Sequence, residues 1–329
     1  MLYCLLLLLL AFPGGQSEPS SSLKEGLLAL QAGDLQKAKA ELETAGEQQP
    51  ANPYVWTSLA ETYLRLGDSE KALSAAAKAE TTGVQNPVVW HALAMFYAQN
   101  AQFKKAAEWE RKFAGSANAE PDSSAKAAML YLRAEDFSDA AELAASELKK
   151  RPRDAQLTLT LGVARYGQRR FEDAIGCFLQ VIEIDPDIEQ PYIFLGKMLD
   201  QAGSHLAEIT RDFEAWAARA PQNAQAPLVL AKVLLASDSR SSRAAELLAR
   251  AIQLDGNNWE SHYELGVLFA AQRKYQDAAR ELGRSIELSP KQPMPHYHLA
   301  RIYDRLGQPE RASAEREIHA RLTGGNKPD

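Results

Sequence analysis

The chain has only two cysteines among 329 residues, which rules out a fold stapled by several disulfides. Cys4 falls in an N-terminal apolar stretch, and Cys177 would stand alone once that stretch was removed, so stability has to come from packing. Beside Phe178 in a helical pattern, Cys177 reads as a packed, inert thiol. Basic charge is not in excess either. A formal net charge of −6 provides no basic stripe to displace counterions, so no nucleic-acid partner is expected. No run of five or six like charges marks an acidic or basic tail. The chain also lacks a phosphate-cradling G-x-x-x-x-G-K-[ST] loop, a G-x-G-x-x-G turn, an H-E-x-x-H helix and paired Cys-x-x-Cys spacing. Catalytic residues, cofactor and metal are therefore all expected to be absent, and the chain reads as no enzyme.

Alanine and leucine dominate, with 24% charged residues, the profile of a helix-rich protein. At this length either two domains or a repeat array is expected. Leu2 to Phe12 is nearly all apolar, followed by Pro13, Gly14, Gly15 and a polar stretch. It is about half the roughly 20 residues that cross a bilayer. It has instead the length of a signal-peptide core, although no Lys or Arg precedes it. Cleavage after Ser17 places Gly15 and Ser17 at the small-residue positions, so 1–17 is read as a signal peptide. The mature chain is then exported, periplasmic or secreted, with no stable membrane span after signal removal. Residues 323–329 read as a flexible tail.

Internal periodicity is the strongest signal. Pro19, Pro53, Pro87 and Pro121 are each 34 residues apart. A second series, Pro152, Pro186, Pro221 and Pro290, follows at another phase, with Gly256 where one proline is missing; Pro50 belongs to it too. Ala38, Ala72, Ala106, Ala140, Ala174, Ile209, Ala244, Ala278 and Ala312 form a third series, slipped by one residue on each side of Ile209. Units are placed near 19–52, 53–86, 87–120, 121–154, 155–188, 189–223, 224–258, 259–292 and 293–322, making 18–322 one array.

Each unit reads as two helices. Trp56, Leu59, Tyr63 and Leu66 recur at the steps of an amphipathic helix, and Gly67 and Asp68 break it. A second helix, rich in alanine, follows from about Ser69 to Ala79. Alanine at the shared slot lets two antiparallel helices approach closely. The first helix carries Gly or Ala at its own contact point, at Gly26, Ala60, Ala94, Gly162, Gly196, Gly266 and Ala300. His262 and His296 take the slot that Trp56 and Trp90 fill elsewhere, which reads as imidazole replacing indole at a packed position.

Trp56, Leu59, Ala60, Tyr63, Gly67, Ala72 and Ala79 in one unit, and Leu265, Gly266, Tyr275, Ala278, Leu282 and Pro290 in another, resemble the tetratricopeptide-repeat signature. The resemblance, to an exported, bacterial multi-repeat protein, covers roughly residues 19 to 322. It implies an all-α fold, a right-handed superhelical solenoid of about nine helix-turn-helix units. Departures from the pattern are Ile209 in the alanine slot and a longer polar turn from Ser237 to Ser242. They mark 200–245 as the least regular stretch, where a change of curvature or a loosened junction is expected.

In the resembled family the first helices line a concave groove. By phase this implies a partner-binding strip of Met95, Met129, Leu132, Leu159, Val163, Tyr166, Ile193, Phe194, Leu228 and Val229. Some of these could instead pack between adjacent first helices. The flanks are polar: Thr57, Ser58, Glu61 and Arg65 at one end, Arg301, Asp304 and Arg305 at the other. The carboxylate clamp of chaperone-binding members is absent, since Thr57, Ser58, Glu61, His91 and Met95 stand at the corresponding positions. The asparagine ladder of sugar-transferase members is replaced by Ser58, Ala92, Lys126, Thr160, Phe194 and Val229. The expected function is a non-catalytic scaffold binding an apolar peptide or amphipathic helix of another protein. The alternative is a regulatory or targeting subunit of an enzyme complex with catalysis on another chain.

Overall fold

The computed structural model describes residues 19–82 and 85–324, so the expected signal peptide and residues 325–329 of the expected tail lie outside the described residues. Among those residues it contains eighteen α-helices and no strand. They fall into two compact units, one ending at Arg170 and the other starting at Phe171. The first unit holds α1 (Ser21–Ala32), α2 (Leu35–Gln48), α3 (Pro53–Arg65), α4 (Ser69–Thr82), α5 (Pro87–Gln99), α6 (Phe103–Ala114), α7 (Ser123–Arg133), α8 (Phe137–Leu148) and α9 (Ala155–Gly167). The second holds α10 (Phe171–Ile184), α11 (Gln190–Lys197), α12 (Leu206–Arg219), α13 (Gln225–Ser237), α14 (Ser242–Leu254), α15 (Trp259–Ala271), α16 (Tyr275–Leu288), α17 (Pro293–Arg305) and α18 (Pro309–Leu322). The fold class is the expected one, an all-α array of about nine helix-turn-helix units.

Helix starts follow from local chemistry. Asn52 and Asn86 accept hydrogen bonds from the Tyr54 and Val88 N–H groups at 3.1 and 3.0 Å. Pro53 and Pro87 occupy the first helical position, where the missing N–H leaves nothing unsatisfied. Within a hairpin, the turn needs one residue in the left-handed region. Gly33, Gly67 and Gly307 supply it with φ of 80°, 82° and 70°. At the same repeat phase Ala101, Glu135, Arg169 and Arg273 adopt φ of 55°, 56°, 60° and 62° without being glycine.

The packing slot behaves uniformly. Ala38, Ala72, Ala106, Ala140, Ala174, Ile209, Ala244, Ala278 and Ala312 are all fully buried. Opposite it, a Cβ added at Gly26 would lie 2.7 Å from Leu42 Cγ, and one at Gly266 2.7 Å from Leu282 Cγ. Both glycines are therefore needed for close approach of the paired helices rather than for backbone freedom.

The second proline series has a structural use of its own. The Trp56 Nε1–H donates to the Pro50 carbonyl at 2.8 Å, and the Tyr192 hydroxyl donates to that of Pro186 at 2.9 Å. His262 Nε2 lies 3.3 Å from the Gly256 carbonyl, and His296 Nε2 lies 3.1 Å from that of Pro290. Indole, phenol and imidazole thus make the same contact at the same phase, six residues back, and it ties each of these first helices to the loop before it. The two histidines are also braced on the far side, His262 Nδ1 by Glu281 at 2.9 Å and His296 Nδ1 by Glu315 at 2.6 Å.

Irregularity is concentrated where Ile209 replaces alanine, but it is narrower than expected. α11 is only eight residues long, against thirteen for α13, α15 and α17. Its last turns are replaced by 3₁₀ turns at Leu199–Gln201 and Gly203–His205. The backbones of the paired helices α11 and α12 stay apart, while α11 packs closely on α10 and α13. A branched side chain at a slot sized for a methyl group keeps the partner helix away. Tyr192 fills the space by stacking on Trp216, 4.4 Å between ring centroids, and tilting against Phe213. The polar turn between Ser237 and Ser242 links two full-length helices and disturbs neither.

Candidate functional site

Successive first helices pack side by side: α1 on α3, α3 on α5 and α7 on α9 in the first unit, then α11 on α13, α13 on α15 and α15 on α17 in the second. All ten residues of the expected strip lie on first helices, but not on equal terms. In the first unit Met129 is 44% exposed. Met95, Leu132, Val163 and Tyr166 are half-buried, each offering part of its surface. Leu159 is buried.

The second unit departs from the apolar expectation. Leu228 and Val229 are buried. Val229 fills the gap left by Gly196, whose added Cβ would lie 3.1 Å from Val229 Cγ1. Val229 thus packs between first helices, Leu228 belongs to a core shared with Ala244, Leu248 and Ala251 of α14, and both, like Leu159, offer little accessible surface. Ile193 remains half-buried. Phe194 is turned onto Phe178, with centroids 5.0 Å apart and rings nearly parallel.

The phase that carries Met95, Met129 and Val163 in the first unit carries Lys197, Lys232, Val267 and Arg301 in the second. Lys232, largely buried, donates to Glu260 Oε1 at 2.6 Å. Beside this pair lies a cleft of about 420 Å³ lined by Lys197, Leu199, Asp200, Lys232 and Glu264, among others. Burial pushes the Glu264 carboxyl up to about 6, with Glu260 adding to the rise and Lys232 opposing it. The neighbouring Tyr263 phenol is pushed up to about 12 by burial and then by Glu264 and Glu260. His298 lies against the Tyr263 ring at 5.6 Å. Its imidazole is pushed down by burial and then by Arg301. The sequence held a signal for this site, since Glu260 and Glu264 are one turn apart and Lys232 sits at the groove phase of the preceding unit, but an overall apolar strip obscured it.

The flanks are held by their own contacts. Arg65 donates to the Leu30 carbonyl at 3.2 Å and lies 3.7 Å from Glu61. Asp304 pairs with Arg316 at 2.8 Å. His91, at one of the clamp positions, is engaged by the buried Glu110 at 3.0 Å and rests on Phe113. Among the described residues no three His, Cys, Asp or Glu side chains are grouped so as to hold a metal ion. No helix among them is long and apolar enough to cross a membrane.

Solved structures similar to this chain include a thermophilic TPR protein from Thermus thermophilus, with 19% identity over 51% of this chain and 91% of that one and a TM-score of 0.45. Another is the C-terminal part of a TPR repeat-containing protein from Cytophaga hutchinsonii, with 13% identity, 84% and 99% coverage and a TM-score of 0.49. A third is the human IFIT1 dimer with PPP-AAAA, with 19% identity, 85% and 71% coverage and a TM-score of 0.47. No curated protein matches the chain. Sequence profiles described as Tetratricopeptide repeat match residues 29–96, 126–188 and 228–293, together more than half of the sequence. With helical hairpins at the matching period, these matches establish that the chain belongs to the tetratricopeptide-repeat family.

Proposed function

We propose that this chain is a non-catalytic scaffold that holds a segment of another protein, an amphipathic helix or an extended apolar stretch, on its first-helix faces. Proteins of the family generally mediate protein–protein interaction, and the fold is typically non-catalytic. One observation carries the finer reading: Met129 stands 44% exposed at the same phase as Met95 and Val163, each partly accessible. Exposed apolar side chains aligned over successive repeats favour a protein partner, and methionine suits an adaptable surface. The net charge of −6 argues against nucleic acid as that partner.

Replacing Met95, Met129 and Val163 together with lysine should abolish capture of the partner from a native extract while the far-ultraviolet circular dichroism stays helical. Capture that survives those changes rules out the apolar surface as the docking site. Export is a further part of this reading and rests on the Leu2–Phe12 run followed by Gly15 and Ser17. Mass spectrometry of the protein from its native source should find Glu18 as the first residue; an intact N-terminus would refute cleavage there.

A further inference from the structure

In the first unit, the second helices α2 and α4 leave between them a cleft of about 720 Å³. Trp56 and Tyr63 of α3 line it, and the small residues Gly46 of α2 and Ala75 of α4 keep it open. Glu43 and Glu47 border it from α2, and Lys71 and Lys78 border it from α4. Two carboxylates offset two ammonium groups, so the cleft favours neither sign of charge and suits an uncharged occupant.

The next junction, between α4 and α6, shows what such a place holds. One period on, the rings and lysines recur: Trp90 for Trp56, Tyr97 for Tyr63, Lys105 for Lys71 and Lys112 for Lys78. Their contacts recur too. The Lys78 ammonium lies 4.2 Å from the centre of the Trp56 ring, and that of Lys112 lies 4.5 Å from Trp90. Lys71 lies 5.7 Å from the Tyr63 ring, and Lys105 lies 4.8 Å from Tyr97. Two positions differ: Ala75 is replaced by Trp109, and Gly46 by Glu80. The Trp109 Nε1–H donates to Glu80 at 3.3 Å. Lys112 also lies 4.9 Å from the Trp109 ring, so one ammonium serves two indoles. In the first cleft Lys78 has the Trp56 indole alone, and Ala75 leaves the place of the second indole unfilled. Beside Gly46, the exposed Glu47 carboxylate has no hydrogen bond or ion pair among the described residues.

We propose that the cleft between α2 and α4 takes a tryptophan side chain of another polypeptide, set beside Lys78 where the next repeat places its own Trp109, with Glu47 accepting the indole N–H. An indole brings a large apolar area, and its ring face attracts the ammonium. This docking site lies apart from the first-helix faces and does not depend on what they bind.

The test is heteronuclear NMR of the full chain titrated with N-acetyl-tryptophanamide, the probe for a tryptophan within a polypeptide. The backbone amides of Ser74, Ala75 and Lys78 and the indole N–H of Trp56 should shift to saturation, and the signals of Trp109 and Lys112 should not. N-acetyl-leucinamide should bind more weakly. Ala75→Trp, which supplies the missing ring from the chain itself, should abolish the shifts at Trp56 and Lys78 while the circular dichroism stays helical. Lys78→Ala should weaken binding by roughly threefold, the share of one exposed cation–aromatic contact. Shifts that survive in a folded Ala75→Trp variant, or no saturable shift at the cleft, overturn the proposal. Unchanged affinity in Lys78→Ala overturns it as well, whether or not Ala75→Trp folds. Free tryptophan binding more tightly than the capped amide overturns the polypeptide source and makes the ligand an amino acid.

Discussion

At the scale of single residues, the glycines separate two effects that sequence alone merges. Gly266 and Gly283 are both helical. An added Cβ at Gly266 meets Leu282 Cγ at 2.7 Å, whereas one at Gly283 meets nothing within 4 Å. Helix propensity favours alanine over glycine by about 1 kcal/mol, and overpacking costs about 1–3 kcal/mol. Gly283→Ala should therefore raise the melting temperature and Gly266→Ala should lower it, as thermal unfolding of the two variants would show. The same sign for both would mean that the hairpin contact is softer than its geometry implies. Glu264 adds a pH-dependent case. Its folded-state value, about 6, is raised above the ordinary 4.5, so the folded chain holds the proton more tightly than the unfolded one. Ionisation of Glu264 thus costs stability above about pH 6, and that cost disappears as pH falls from about 6 to 4.5. Glu264→Gln should stabilise the chain by on the order of 1–2 kcal/mol near neutral pH. The gain should vanish by about pH 4.5 in urea titrations, and a constant gain across that window would place the raised value elsewhere.

At the scale of elements, what was legible depended on whether one residue type or one position carried the information. The alanine slot was legible because only a small side chain fits between paired helices, and the period could be counted directly. The left-handed turn position was only partly legible. Gly67 announced it, but Glu135 and Arg273 occupy the same conformation without the residue that advertises it. The shared slot of Trp56, His262 and His296 was legible as packing, but its hydrogen bond to the loop carbonyl six residues back was not, because no single residue type carries that donor. Leu228 and Val229 were misplaced in the expected strip for a related reason: phase places a residue on a face and says nothing of how deep it lies. Val229 sits at a groove phase, yet Gly196 opposite leaves a hole that it fills. The turn position yields a prediction of its own. A non-glycine residue in the left-handed region costs about 1–2 kcal/mol, while glycine loses more unfolded-state freedom, roughly 0.5–1 kcal/mol. Glu135→Gly and Arg273→Gly should each be neutral to stabilising, by at most about 1 kcal/mol. A clear loss in denaturant midpoint for either would show that these turns bear no strain.

At the scale of the whole chain, a repeat protein's stability is a sum of terms from each unit and from contacts between neighbours, so one weak contact lets the structure open locally. The ion pairs that reach from one repeat to the next do not set that pattern. Lys104 with Asp136 at 2.9 Å, Arg111 with Glu142 at 3.3 Å and Arg243 with Glu214 at 2.8 Å lie at the surface, and surface pairs contribute about 0–1 kcal/mol each. Burial at the packing slot sets it, and the slot is fully buried in every described hairpin; what differs between α11 and α12 is how closely the backbones approach. There the backbones of the paired helices stay apart and meet through the Tyr192, Phe213 and Trp216 rings, the chain between them runs through two short 3₁₀ turns, and Gly203 sits at a φ of 48°. Amides protected only by such turns open at low free energy. Native-state hydrogen exchange should therefore find the least protected amides of the second unit's interior between residues 198 and 205, with α15 and α16 exchanging only through larger openings. Denaturant unfolding should also depart from a single two-state transition, since helices on the two sides of that break are coupled weakly. If protection at 198–205 matched that of α15, the stacking of Tyr192 on Trp216 would be shown to restore the contact that Ile209 removes. The cleft beside Glu264 would then be a rigid pocket rather than one bordered by the most easily opened segment of its unit.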